Sequence, residues 1–335
     1  MPEAAALRAP CILKDPAMDA DTTPKADTTS HARDAGALSR RVLLGATAAS
    51  AAALSLGAAP VDAAEGAIQH LQTPHGQIAY RIDGKRNGQP PILLMQRFRG
   101  TIHDWDPLFI ERLAKNRRTI RFDSAGVGRS GGDPAASIEG MAKVADAVLA
   151  GLGLAQADLL GWSLGGLVAQ ELALQNPGRV RRLVIAAAGP GAMPEAPAND
   201  PSVIATASKP VNVDEDFLTL FFPDSDAGRS AGRAHLARLK AQKDTGPLVA
   251  MGAVQAQGMA MGTWPGSRGR LKQLAMPILV ANGVHDVLMP AYGTYVIARE
   301  APDAKALLYP NAGHAFLFQY AADFAAEVNT FLANA

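Results

Sequence analysis

From Gln69 onward, short apolar runs alternate with longer stretches in which apolar residues recur every three or four positions. Gln77–Ile82 alternates polar with apolar residues, the pattern of a strand with one buried face. Pro91–Met95 (Pro-Ile-Leu-Leu-Met) is apolar throughout, as a strand covered on both faces should be. Thr119–Phe122, Asp158–Gly161, Leu183–Ala187, Pro277–Ala281 and Ala306–Tyr309 read as further strands. Between them, Ser137–Gly151 places Met141, Val144, Val148 and Leu149 at helical spacing. Gly165–Gln175 reads as a helix stopped by Asn176-Pro177-Gly178, and Ala321–Leu332 as a closing amphipathic helix. Strands separated by helices predict an α/β fold, a mostly parallel sheet with helices on both faces. The stretch from about Gly189 to Leu274 breaks this rhythm. Asp214–Phe222, Gly228–Gln242 and Leu248–Met261 read there as helices with no buried strand, an inserted helical cap. The organisation expected is a core of residues 65–189 and 273–335, a cap of residues 190–272, and a targeting segment of residues 1–64.

That last segment has a different texture. Residues 1–38 are polar and turn-rich. Ser39-Arg40-Arg41-Val42-Leu43-Leu44 then opens an Ala/Gly/Ser-rich run to about Ala59, and Val61-Asp62-Ala63 supplies a small-x-small cleavage site. Charge, apolar stretch and small-residue site make the plan of a signal peptide. The paired arginines resemble a twin-arginine signal, which implies the twin-arginine export machinery as a partner and a periplasmic or secreted location. Left uncleaved, Val42–Ala59 would serve as a short membrane anchor. Met18 is an alternative start.

Composition narrows the classes. Of 335 residues, 48% are hydrophobic and 19% charged, enough to build a large core. Lys plus Arg is 32 against 31 for Asp plus Glu, so no charge excess points to nucleic acid. The single cysteine, Cys11, lies in the leader. This argues against a thiol nucleophile, a thiolate metal site and a disulfide scaffold. The seven histidines form no tract that reads as a metal cluster.

The chemistry gathers at Asp158-Leu-Leu-Gly-Trp-Ser163-Leu-Gly-Gly166. A buried strand, a tight turn and a helix meet at one serine, and Gly161 and Gly165 relieve crowding on either side of it. Asp286 follows the strand Pro277–Ala281, at a strand's carboxyl end, where α/β folds place ligands. His314, in Tyr309-Pro-Asn-Ala-Gly-His314, follows the last strand. His103, His235 and His285 are weaker candidates for the base, and Asp123 is the competing acid.

These motifs resemble the α/β-hydrolase family, in its serine esterase and cofactor-free haloperoxidase-like branch, over about residues 75–189 and 273–335. The resemblance implies a nucleophile–acid–base order along the chain, met here by Ser163, Asp286 and His314. It implies an oxyanion hole from the Leu164 N–H and a donor in the loop after Pro91–Met95, aligned at Phe98. Many relatives have His-Gly where this chain has Gln96-Arg97. Asp123-Ser-Ala-Gly-Val-Gly-Arg-Ser130 resembles the family's structural turn and takes no triad role. Arg97 and Arg99 either select an acidic substrate or pair with Asp104 or Asp106, and the pairing is favoured. Trp162, Phe221 and Trp264 are candidates for an apolar substrate site.

The expected activity is hydrolysis of a carboxylic ester through an acyl-enzyme, on a small-molecule substrate and with no cofactor. Perhydrolase, haloperoxidase or carbon–carbon hydrolase chemistry would use the same triad. A dehalogenase or epoxide hydrolase needs Asp where Ser163 stands. A non-catalytic binding protein on the same scaffold is the rival from another class.

Overall fold

A computed structural model of the chain describes residues 66–196 and 198–333. The leader, with its twin-arginine motif and cleavage site, lies outside these residues.

The wholly apolar run Pro91–Met95 forms a strand, Ile92–Met95, that is buried throughout, whereas the apolar Ala306–Tyr309 lies on an edge strand with only Tyr309 buried. β1 (Ile68–Thr73), β2 (Gly76–Asp83), β3 (Ile92–Met95), β4 (Thr119–Phe122), β5 (Ala157–Trp162), β6 (Val180–Ala186), β7 (Ile278–Gly283) and β8 (Ala304–Tyr309) form one sheet, in the order β1-β2-β4-β3-β5-β6-β7-β8. β2 runs antiparallel to β1 and β4, and the remaining pairs are parallel. Successive side chains point to opposite faces, so each inner strand feeds two cores. Leu93 and Met95 of β3 join Leu159, Ile185 and Val280 beneath α2 (Ile138–Gly151), α3 (Leu164–Gln175) and Ile297 of α8 (Tyr292–Glu300). Ile92 and Leu94 join Leu160, Trp162, Val184 and Leu279 beneath α1 (Pro107–Ala114), α9 (Phe316–Gln319) and α10 (Ala321–Ala333).

Between β6 and β7 the described residues contain no strand. Four α-helices occupy the interval, α4 (Pro201–Ala207), α5 (Asp214–Phe221), α6 (Asp226–Lys240) and α7 (Met251–Thr263), followed by a 3₁₀ helix at Arg268–Gln273. They dock on both layers. Leu218, Leu220, Phe221 and Phe222 enter the second core, whereas Ala260 and Trp264 enter the first.

The expected strands and helices all form, with their ends moved by a few residues. Five of these elements carried too weak a pattern to be anticipated, among them the four-residue α9. β1 is an edge strand with one buried residue, α4 has none, and α1 and α8 have eight and nine residues.

Candidate active site

β5 ends at Trp162 and α3 begins at Leu164, so the chain reverses at Ser163 alone. Ser163 takes φ 57° and ψ −121°, a region that L-residues rarely occupy and that is sustained by surrounding structure. Here the support is crowding. A Cβ on Gly161 would strike the Gly165 carbonyl, and one on Gly165 would strike the Met95 carbonyl. Ser163 N–H donates to Ala186 O at 2.9 Å, and its carbonyl accepts from Gly166 N–H at 2.8 Å. The elbow is thus pinned to the neighbouring strand and to its own helix. Ser163 is buried with 6% of its surface exposed.

The acid and base meet on the loops after β7 and β8. His314 Nδ1 lies 2.8 Å from Asp286 Oδ2, and both residues are buried. A carboxylate can only accept, so Nδ1 carries the hydrogen, which in the neutral imidazole leaves the lone pair on Nε2. The other carboxylate oxygen, Oδ1, accepts from Leu288 N–H and Met289 N–H, each at 2.9 Å, which fixes the carboxyl plane. The Trp162 indole N–H donates to His314 O at 2.9 Å, with ring centroids 5.9 Å apart. That bond ties the base's loop to the residue before the nucleophile. From the cap, Phe221 packs edge-on to the imidazole at 5.2 Å, and its carbonyl accepts from Ala315 N–H.

Leu164 opens α3, where the first N–H groups have no helical partner. Facing it is the loop after β3. Arg97 N–H donates to Gln96 Oε1 at 2.8 Å, Gly100 N–H to Arg97 O at 3.0 Å, and Arg99 N–H to Gln257 Oε1 at 2.9 Å. The Phe98 N–H is engaged in none of these bonds. The Gln96 side chain spans the loop and donates from Nε2 to Thr101 O at 3.1 Å. Gly100 makes room for it, because a Cβ there would strike the Gln96 side chain. A small cleft of about 40 Å³ opens beside the elbow, between Gln96, Arg97, Leu164 and Gly165. Met95, Phe122, Met141 and Val168 form its apolar wall, and Ser124 and Gln257 are its further polar residues.

Of the two arginines, Arg97 pairs with Asp104 at 2.9 Å, as the pairing alternative had it. Its guanidinium lies 5.4–5.7 Å from the ring centroids of Trp162, Phe217 and Phe221. Arg99 instead donates to Lys209 O at 2.8 Å and Asn212 Oδ1 at 3.2 Å in the cap. Trp162 and Phe221 frame His314 from outside the cleft. Trp264 donates to Glu171 Oε2 at 3.1 Å, fastening the end of the cap to α3. Asp123 accepts from Ile102 N–H at 2.7 Å and Arg129 N–H at 2.8 Å, a turn-building role. Burial pushes its carboxyl up to about 6, against those two bonds. Sequence reasoning placed Gln96 in the loop but missed its bracing bonds, and it missed Gln257 and the partners of His235. His235 Nδ1 sits 2.7 Å from Asp106 Oδ2 at the joint of cap and core. No cluster of metal-ligating side chains occurs among the described residues.

The fold, the strand–turn–helix elbow at Ser163 and the Asp–His pair on the later loops are those of an α/β hydrolase. The family model for the alpha/beta hydrolase fold matches residues 90–320, and the chain belongs to that family. It is similar to the pimeloyl-[acyl-carrier protein] methyl ester esterases of Klebsiella pneumoniae and Nitrosomonas europaea. The first is 32% identical over 228 residues, 66% of this chain and 84% of the relative. The second is 27% identical over 257 residues, 72% and 95%. Among solved structures, an alpha/beta hydrolase fold protein from Chitinophaga pinensis matches with a TM-score of 0.73 and 31% identity, covering 80% of this chain and 98% of that one.

Proposed function

We propose that this chain is a serine hydrolase of carboxylic esters, working through an acyl-enzyme on Ser163 with Asp286 and His314. The observation that carries the reading is the His314–Asp286 bond beside a strained serine elbow. With Nδ1–H held by the carboxylate, His314 Nε2 takes the hydroxyl proton as Ser163 attacks the ester carbonyl. The oxyanion is received by the N–H groups of Leu164 and Phe98, each such donor lowering the barrier by about 3–4 kcal/mol. The imidazolium returns its proton to the leaving alcohol. Water, deprotonated by the same Nε2, then releases the acid. The relatives' names specify a methyl ester, which fits a small alcohol leaving group. The apolar wall beside Leu164 suits an uncharged acyl chain.

The test is turnover of an ester panel of graded acyl length, together with fluorophosphonate labelling. Wild type should turn over the esters and label, and Ser163→Ala should do neither. Equal labelling of the two would sink the reading. A twin-arginine leader that delivers the folded enzyme outside the cytoplasm completes the proposal, supported by Arg40-Arg41 and the apolar run after them. Replacing both arginines with lysine should retain the enzyme in the cytoplasm on fractionation. Unchanged export would overturn this part alone.

A further inference from the structure

α7 turns its buried stripe toward the core through Ala253, Val254, Gln257 and Ala260, ahead of Trp264. Every member but Gln257 is apolar. A buried amide costs free energy unless it is bonded, so an apolar side chain would be the default at this position. Gln257 is 4% exposed, and its Oε1 accepts the backbone N–H of Arg99, two residues after Arg97 in the loop that faces Leu164. Arg99 itself holds φ 58° without being glycine, a backbone state that persists only where neighbours impose it. Its guanidinium is bound to the carbonyl of Lys209 and the side-chain oxygen of Asn212, so the same residue is gripped from two separate parts of the cap. Gln96 braces the loop from inside, through Arg97 N–H and Thr101 O.

We infer that Gln257 is a positioning residue for the oxyanion loop. By holding Arg99 in its left-handed conformation, it sets the orientation of the adjoining Phe98 peptide toward Ser163, and it makes the cap part of the catalytic geometry. The inference rests on the ester-hydrolase reading above. An oxyanion donor acts on the tetrahedral state more than on the bound ester, so loss of the brace lowers kcat rather than raising KM.

The experiment compares Gln257→Met, which fills the site without an acceptor, with Gln257→Glu, which keeps one. Both are made in the full chain, with melting temperature as the fold check. Readouts are kcat and KM on one ester and the inhibition constant of an alkyl boronic acid, whose tetrahedral adduct on serine mimics the reaction intermediate. Gln257→Met should lose roughly ten- to hundredfold in kcat, the scale of a displaced catalytic group, with KM within about twofold. Boronate affinity should weaken by the same factor, and Gln257→Glu should recover most of both. A kcat unchanged in Gln257→Met, a defect confined to KM, or a Glu variant as impaired as the Met variant would overturn the inference while the hydrolase reading stands. A wild type that neither turns over esters nor labels with fluorophosphonate would remove the reading and the inference with it.

Discussion

Among the described residues, two buried His–Asp pairs have nearly identical geometry. His314 Nδ1 meets Asp286 Oδ2 at 2.8 Å, and His235 Nδ1 meets Asp106 Oδ2 at 2.7 Å. Their surroundings separate them. The first spans two loops at the carboxyl ends of β7 and β8, beside the elbow. The second joins the cap helix α6 to the N-terminus of α1, and its imidazole stacks on Phe318 at 4.6 Å. Asp106 caps α1 through Leu108 N–H and takes Arg238 as a further partner. His235 Nε2 is buried and unbonded among rings, with no nucleophile against it. A His–Asp bond therefore marks rigidity, and what faces the free nitrogen decides whether it is a base.

The sharpest way to break this comparison is to remove each histidine in turn. His314→Ala should cost roughly 10⁴-fold in kcat on an ester, the scale seen when a triad member is lost. His235→Ala should cost less than about tenfold. Comparable losses for the two would make the second pair part of the chemistry. Stability should rank them the other way. Truncating a fully buried ring that bonds a buried carboxylate costs about 2–4 kcal/mol, so His235→Ala should lower the melting temperature by roughly 5–10 °C. Scanning calorimetry of both variants reads this directly, and a larger loss for His314→Ala would reverse the assignment of roles.

Only the first pair was legible from the sequence, and the reason is topological. Ser163, Asp286 and His314 each follow a strand recognisable by its unbroken apolar run, so their shared edge of the sheet could be anticipated. His235 and Asp106 are 129 positions apart, one on an inserted helix and the other beginning an eight-residue helix with no strong signal. Gln257 is hidden in the same way, because its partner is a backbone N–H that no side-chain pattern reports. β6 was read as starting at Leu183 because Arg181 and Arg182 interrupt the apolar run. In the fold they continue the strand, Arg181 paired with buried Asp158 and Arg182 lying over the Phe331 ring. The cap helices were visible as helices, but their docking onto particular core loops was not, since that depends on contacts between distant segments.

The smallest expected effect is a pH dependence that isolates the second pair. Burial pulls the His235 imidazole below its ordinary value, although the Asp106 carboxylate opposes the shift. Burial alone would raise the Asp106 carboxyl, but the bonds from His235 and Arg238 outweigh it and hold it below the usual range. Both groups thus bind protons less readily folded than unfolded. The stability from His235 is complete above about pH 6.5, the unfolded imidazole value, and is lost as pH falls below it. Asp106 adds its own loss only near and below about pH 4. Asp123 acts in the opposite sense. Its carboxyl, raised to about 6 in the fold, takes up a proton between there and the unfolded value, which favours the folded state as pH falls. A simple pH profile of the wild type mixes the two signs, so the useful measurement is a difference. His235→Phe keeps a ring against Phe318 and removes both the titration and the bond to Asp106, so the comparison is read from the slope against pH rather than from absolute stability. Denaturant unfolding of both proteins from pH 8 to 5 should show the wild type losing up to about 1.4 kcal/mol per pH unit relative to the variant below pH 6.5. Parallel curves would mean that His235 already titrates freely in the fold. The cap joint would then be held by the Arg238–Asp106 pair and the aromatic stack rather than by a neutral, buried imidazole.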